Sequence, residues 1–191
     1  RLQQDRYELT NLRELYGLDA QYDEYEKTGA RIIARDSGNW FYSFVINKGE
    51  QDGIAVDMNV MAGSGLVGRI VDVGPNWAKV KAIIADDSNV SAMVLSSSDN
   101  MIVSGNLKLY ATGVIEFEQL IDSANAVVEG DKIVTSNISD KYLPGILIGY
   151  ISKIDQDSNN LTKSGNITPA VDFEHLEEVL IIKQLKQTIE E

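Results

Sequence analysis

The sequence predicts a mainly β protein, with an N-terminal α-helix forming a coiled-coil stalk followed by two small β-barrel domains. Three observations carry that prediction. Residues 1–27 hold no Pro, a single Gly and many Leu, Glu, Gln and Arg, the composition of a helix. After Thr28-Gly29 the chain turns into short runs of Val, Ile and aromatic residues divided by Gly, Asn and Asp, the texture of an all-β barrel or sandwich. A strand-turn-strand unit then recurs once within the 191 residues, so two β units fit the length.

In the opening segment Leu2, Leu9 and Tyr16 fall seven apart and Leu12 follows Leu9 by three, as heptad a and d positions do. Asp5 and Asp19 take the remaining d positions, and Leu15, Leu18, Tyr22 and Tyr25 form a neighbouring stripe. Two arrangements fit this pattern: an amphipathic helix lying on its own domain, or the end of a longer coiled coil. Twenty-eight helical residues would reach roughly 42 Å at about 1.5 Å each, longer than a small domain is wide, which favours the stalk. Self-association is therefore expected through Leu2, Leu9, Leu12, Leu15 and Tyr16.

Strands are expected at Arg31–Arg35, Trp40–Asn47, Met58–Met61, Leu66–Val73, Lys79–Ile84, Val90–Leu95, Ile102–Ser104, Thr112–Phe117, Lys132–Thr135, Ile146–Ile154 and Glu178–Lys183. Trp40, Tyr42, Phe44 and Ile46 are spaced by two and mark one strand face. Gly74-Pro75-Asn76 and Pro144-Gly145 are turns, because Pro presets φ and Gly accepts positive φ. The repeat pairs Val56–Val60 and Gly65–Val73 with Gly130–Val134 and Gly145–Ile154, each second strand being entered through a glycine. The expected organisation is a helical segment over 1–29, a first barrel from 30–86 plus 166–184, a second over 87–165, and a tail at 185–191. The final strand, Glu178–Lys183, is expected to return to the first barrel.

Lys and Arg total 17 against 29 Asp and Glu, a net charge of -12, which argues against gripping nucleic-acid phosphates. With no Cys and only His175, disulfide frameworks, zinc sites and Cys nucleophiles are excluded. Gly63-Ser64-Gly65-Leu66-Val67-Gly68 spells a dinucleotide fingerprint, with Asp86 and Asp87 near the ribose position. The stretch Arg69-Ile70-Val71-Asp72-Val73 directly after it is β-branched, with no helix to face a pyrophosphate. Asp155, Asp157 and Asn159 have calcium-loop spacing, but Asn160 replaces the turn glycine and Asn166 the closing glutamate, so a hairpin loop is the simpler account. A chymotrypsin-like pair of barrels would need a histidine base ahead of its serine, and His175 lies near the C-terminus among carboxylates. No cofactor, metal or small-molecule substrate is indicated. No run approaches the roughly 18 apolar residues of a membrane helix. Arg1 in place of a methionine reads as a fragment or a processed product.

Taken in order, several stretches resemble a known family. Trp40 with Ile46-Asn47-Lys48-Gly49 and Asp52-Gly53-Ile54 is similar to the W…F.INKG..DGI block of the rod shape-determining MreC family. Gly65-Leu66-Val67-Gly68-Arg69-Ile70 resembles its GLVGRV step. Gly130-Asp131, Val134-Thr135-Ser136 and Leu143 through Gly149 resemble a later block, and Val171-Asp172-Phe173, Leu176-Glu177 and Val179 the closing ADF..LE.V. Asn11 through Leu15 resembles the helix ahead of the barrels. Asn137 stands where the family usually has Gly, and Tyr142 where Phe is common. The resemblance makes Trp40, Gly49, Gly53, Gly65, Gly68, Gly130, Gly145 and Gly149 structural motif positions. It implies a single-pass membrane protein whose barrels lie outside the membrane, a non-enzymatic scaffold for cell elongation and peptidoglycan synthesis. Such scaffolds dimerise through the helix and engage a class B penicillin-binding transpeptidase and MreD. The alternatives are a periplasmic adaptor of an export pump, which would place a helical hairpin inside the β module, and a degenerate chymotrypsin-like hydrolase.

Overall fold

The computed structural model describes residues 25–35 and 42–186. These form twelve strands in chain order: β1 (Lys27–Arg35), β2 (Ser43–Ile46), β3 (Asn59–Ala62), β4 (Gly65–Val73), β5 (Ala78–Ala82), β6 (Asn89–Val94), β7 (Asn100–Ser104), β8 (Ile115–Leu120), β9 (Lys132–Thr135), β10 (Leu147–Gln156), β11 (Lys163–Pro169) and β12 (Glu178–Ile182). One helical turn, α1 (Leu107–Tyr110), lies between β7 and β8. Neighbours run β4-β3-β12-β1-β2-β5, closed by β4–β5, and β10-β9-β6-β7-β8-β11, closed by β10–β11. These are two closed six-stranded rings, joined where Leu147 of β10 pairs in parallel with Gly65 of β4. Closure leaves neither ring a free edge.

The two rings share one topology. Taken from β12 through β1 to β5, the first repeats every pairing of β6 to β11 in the second, so its opening strand is the last one in the chain. The correspondence reaches single residues. Val60 pairs Gly68 and Met61 pairs Leu66, skipping Val67, while Ile133 pairs Gly149 and Val134 pairs Leu147, skipping Ile148. On the other side of the same strands, register shifts skip Val71 between Ile70 and Asp72, and Ser152 between Ile151 and Lys153. Each long strand is thus bent by the same two bulges, which lets a small sheet close on itself. Glycine is required at both bends. A Cβ on Gly68 would lie 1.9 Å from the Lys81 carbonyl oxygen, and one on Gly149 would lie 2.1 Å from that of Thr168.

Alternating apolar side chains fill the rings: Phe44, Ile46, Leu66, Ile70 and Val80 in the first, Val103, Phe117, Ile133, Ile151 and Ile167 in the second, all in one contiguous cluster. The Ser43 hydroxyl is buried without a hydrogen-bond partner.

Several sequence expectations need correction. Lys27, Thr28 and Gly29 are strand rather than helix, since they pair with Ile182, Ile181 and Leu180. The helical segment expected over the preceding residues, with Leu2, Leu9, Leu12, Leu15 and Tyr16, lies outside the described residues, as does Trp40. Asn166–Pro169 belongs with the second ring rather than the first, because β11 pairs only β8 and β10. Gly165, which reads as a boundary, sits inside that strand, where a Cβ would meet the Lys153 carbonyl oxygen at 1.9 Å. The strand expected from Thr112 begins at Ile115, because Asn106 caps α1 by accepting from the Leu109 N–H. β12 pairs β1 on one side and β3 on the other.

Candidate functional site

The seam between the rings is built by side chains that sequence alone does not single out. Asn59 opens β3 fully buried, and its amide reaches across to the β9–β10 loop. Its Nδ2 donates to the carbonyl oxygens of Asp57 (3.3 Å) and Lys141 (3.0 Å), and its Oδ1 accepts from the Leu143 N–H at 2.8 Å. Thr135 holds the other side of the same loop, donating to the Leu143 carbonyl at 2.6 Å and accepting from the Ile146 N–H at 2.8 Å. Asp57 accepts from Arg69 at 2.8 Å and from Lys141 at 3.0 Å, tying a first-ring strand to a second-ring loop. Tyr142 is buried beside Arg69, and desolvation pushes its phenol up to about 12, so it stays neutral. The Phe173 N–H donates to the Tyr110 hydroxyl at 3.2 Å, and the two aromatic rings meet edge to face at 5.6 Å, anchoring the return to β12.

The sequence-singled motifs that fall among the described residues have structural uses. Gly63 to Gly68 forms the β3–β4 turn and the start of β4, so no helix opens there. The Asp157 carboxylate accepts from the Ser164 and Thr162 hydroxyls, each at 2.6 Å, which holds it below the usual carboxylate range. Asn159 accepts from the N–H groups of Leu161 and Thr162, so the calcium-like spacing folds a hairpin turn. His175 is 78% exposed at its side chain and pairs with Asp172 at 2.7 Å, which lowers the Asp172 pKa. The Ser136 hydroxyl donates to Asn100 at 2.9 Å. Gly53, Gly130 and Gly145 take positive φ of 80°, 90° and 82°, and a Cβ on Gly49 would crowd Gly74 and Trp77. A Cβ on Gly65 would strike Val171 at 2.6 Å.

Outside the seam, the walls carry exposed apolar side chains. Ile121, Val128 and Leu161 sit on the β8–β9 and β10–β11 loops, at the same end of the second ring. Ile33 and Leu180 project from β1 and β12 on the first. The loop end of the second ring is held rigid by Asp122, whose side chain is wholly buried. It accepts from the Ala126 and Val127 N–H groups and from Lys163 at 2.9 Å. Burial alone would raise the Asp122 pKa, but these donors outweigh it and lower it. Among the described residues no group of three or more His, Cys, Asp or Glu is placed to hold a metal ion, and no helix is long and apolar enough to cross a membrane. No helical hairpin interrupts the described strands.

Comparison with known proteins gives a consistent result. Residues 32–183 match the family model for the barrel core of the rod shape-determining protein MreC. The cell shape-determining protein MreC of Listeria monocytogenes is 31% identical over 91% of the chain, and the chain spans 59% of that relative's length. A solved MreC from the same organism superposes with a TM-score of 0.82 at 27% identity, covering 100% of this chain and 96% of that one. The fold is also similar, with a TM-score of 0.58 at 16% identity over 83% of this chain and all of that one, to a structure titled as a complex between penicillin-binding protein PBP2 and MreC from Helicobacter pylori.

Proposed function

We propose, from the premise that the chain belongs to the rod shape-determining MreC family, that it works as a non-enzymatic scaffold maintaining rod cell shape. In this reading the barrels are the extracytoplasmic head of a single-pass membrane protein. They bind a class B penicillin-binding transpeptidase and MreD, while Leu2, Leu9, Leu12, Leu15 and Tyr16 join two copies. The observation that carries the reading is the pairing of closed rings with exposed apolar side chains. A closed barrel has no strand edge to lend a partner, so recognition falls to side chains on walls and loops. Ile121, Val128 and Leu161 supply such a surface on loops pinned by the Asp122–Lys163 pair. The Helicobacter pylori complex supports a penicillin-binding partner.

The test is rescue of rod shape in a depleted strain, read beside the melting temperature of each purified variant and its affinity for the transpeptidase's soluble domain. His175→Ala is expected to restore rods, and an Ile121→Asp/Leu161→Asp double variant to lose transpeptidase binding with its melting temperature unchanged. A folded His175→Ala protein that fails to rescue would reopen the search for an active site. Undiminished binding by the double variant would refute the assigned surface.

A further inference from the structure

A polar pocket of about 230 Å³ opens at the seam, lined by Arg69 and Lys81 from β4 and β5 and by Ser88, Ser91, Ser139 and Lys141 from the second ring. In a chain of net charge -12, three of its 17 cationic residues converge here from three separate segments. Each has a counter-ion, and one of these, Asp87, shares the lining. Asp57 holds Arg69 and Lys141, and Asp87 holds Lys81. A guanidinium carries five N–H donors and an ammonium three, so these contacts leave donors unspent on every cation. The hydroxyls point the same way. Ser88 is only 9% exposed, and its hydroxyl, which makes no hydrogen bond with any described residue, borders the pocket. The Ser91 hydroxyl is equally unengaged, and that of Ser139 accepts from the Tyr142 N–H and donates to nothing among the described residues.

We propose that this pocket binds a small oxyanion, the carboxylate or phosphoryl group of a ligand bridging the two barrels. The three cations and three serine hydroxyls supply the donors that an acceptor-only group complements, while the Asp87 and Asp140 carboxylates in the same lining limit the charge it can carry. Asp140 at the exposed rim brings the local charge to balance with Asp57 and Asp87, so recognition rests on directed donors rather than net attraction. A singly charged oxyanion is therefore favoured over a doubly charged one, and binding is weak and saturable. The inference is independent of the scaffold reading, since it concerns the seam and not the apolar loops.

The experiment is a titration of the chain with sodium acetate and, separately, sodium phosphate, monitored by amide chemical shifts, with sodium chloride at matched ionic strength as control. Saturable shifts centred on Ser88, Ser91 and Ser139 are expected, and the stronger of the two arms identifies the group. Ser88→Val should weaken binding at least about fivefold, as loss of one hydrogen bond to a charged group implies, without lowering the melting temperature. Lys141→Gln provides a second variant and should weaken binding as well. Shifts that fail to saturate, that chloride reproduces, or that persist unchanged in both variants would overturn the proposal.

Discussion

Removing the Asn59 amide should loosen the seam more than any other single polar change there. In Asn59→Ala the Leu143 N–H, now satisfied at 2.8 Å, is left buried without a partner, which costs about 1–3 kcal/mol. The Lys141 carbonyl loses a 3.0 Å bond, but it lies on an exposed residue where water replaces the amide, adding about 0.5–1.5 kcal/mol. The expected loss is therefore about 1.5–4.5 kcal/mol, read as a lower midpoint in urea unfolding. Asn59→Asp separates the two halves of the clamp. A carboxylate still accepts from Leu143 but faces the Asp57 and Lys141 carbonyls without a proton to donate, so its defect should shrink as the pH falls and the acid becomes neutral. Amide exchange should locate the damage in 137–146 and 57–61. A loss below about 0.5 kcal/mol for Asn59→Ala, within the range of ordinary surface changes, or faster exchange confined to the far end of the second ring, would refute this account of the seam.

Two further perturbations test the rings themselves. Gly68→Ala and Gly149→Ala should each destabilise by about 1–3 kcal/mol and by similar amounts, because both drive a Cβ into a carbonyl across an equivalent bulge. Gly29→Ala, with nothing near its Cβ, should stay within about 0.5 kcal/mol of the parent in the same thermal melts. Asp122→Asn should cost about 3–5 kcal/mol at neutral pH by removing the counter-ion of Lys163, whose largely buried ammonium would keep only the Asn125 side-chain oxygen. Because the folded protein holds the Asp122 pKa below its ordinary value, this stabilisation is present above about pH 3.9 and is lost as the pH falls through the lower folded value. The Asn variant should show a correspondingly shallower acid unfolding profile in circular dichroism.

What the sequence reveals and what it hides divide along a physical line. Strand faces are local, so alternation finds Phe44 and Ile46 inside and Lys132–Thr135 at its observed bounds. The repeat is legible through its glycines, but its register is not: the sequence aligns Gly65 with Gly145, whereas the fold matches Gly68 with Gly149, where two backbones nearly touch. Glycine also misleads. Gly165 resembles a terminator in sequence but serves a close approach within β11, and Thr28-Gly29 resembles the end of a helix but lies inside β1. The seam is illegible in principle: Asn59 and Leu143 are 84 residues apart, and nothing in the local pattern around either announces the other. Tyr142 stands out in sequence only as a departure from the common Phe, and its hydroxyl gains meaning from Arg69, which the fold brings beside it.

The circular relation between the rings sets how their loops and chain connections are distributed. The second ring is continuous in sequence from β6 to β11, so all its strand connections are made within one stretch of chain. The first must wait for β12, and without that strand β1 and β3 would be two open edges exposed to unintended pairing. Where the second ring has its β6–β7 hairpin, the first has a gap between the end of β12 and the start of β1. Lys27 pairs with Ile182 there, and the Lys183 N–H donates to the Glu26 carbonyl at 2.8 Å. Beyond β12 the chain runs on toward the second ring, where the Lys186 ammonium donates to the Asn137 carbonyl at 3.0 Å in the β9–β10 loop. The loops 95–99, 121–131 and 157–162, which carry Ile121, Val128 and Leu161, belong to the other ring from the β12–β1 gap. Asn59, Asp57 and Phe173 lock the ring that carries the β12–β1 gap to the ring that carries the exposed apolar loops, so a contact made at the loops bears on both.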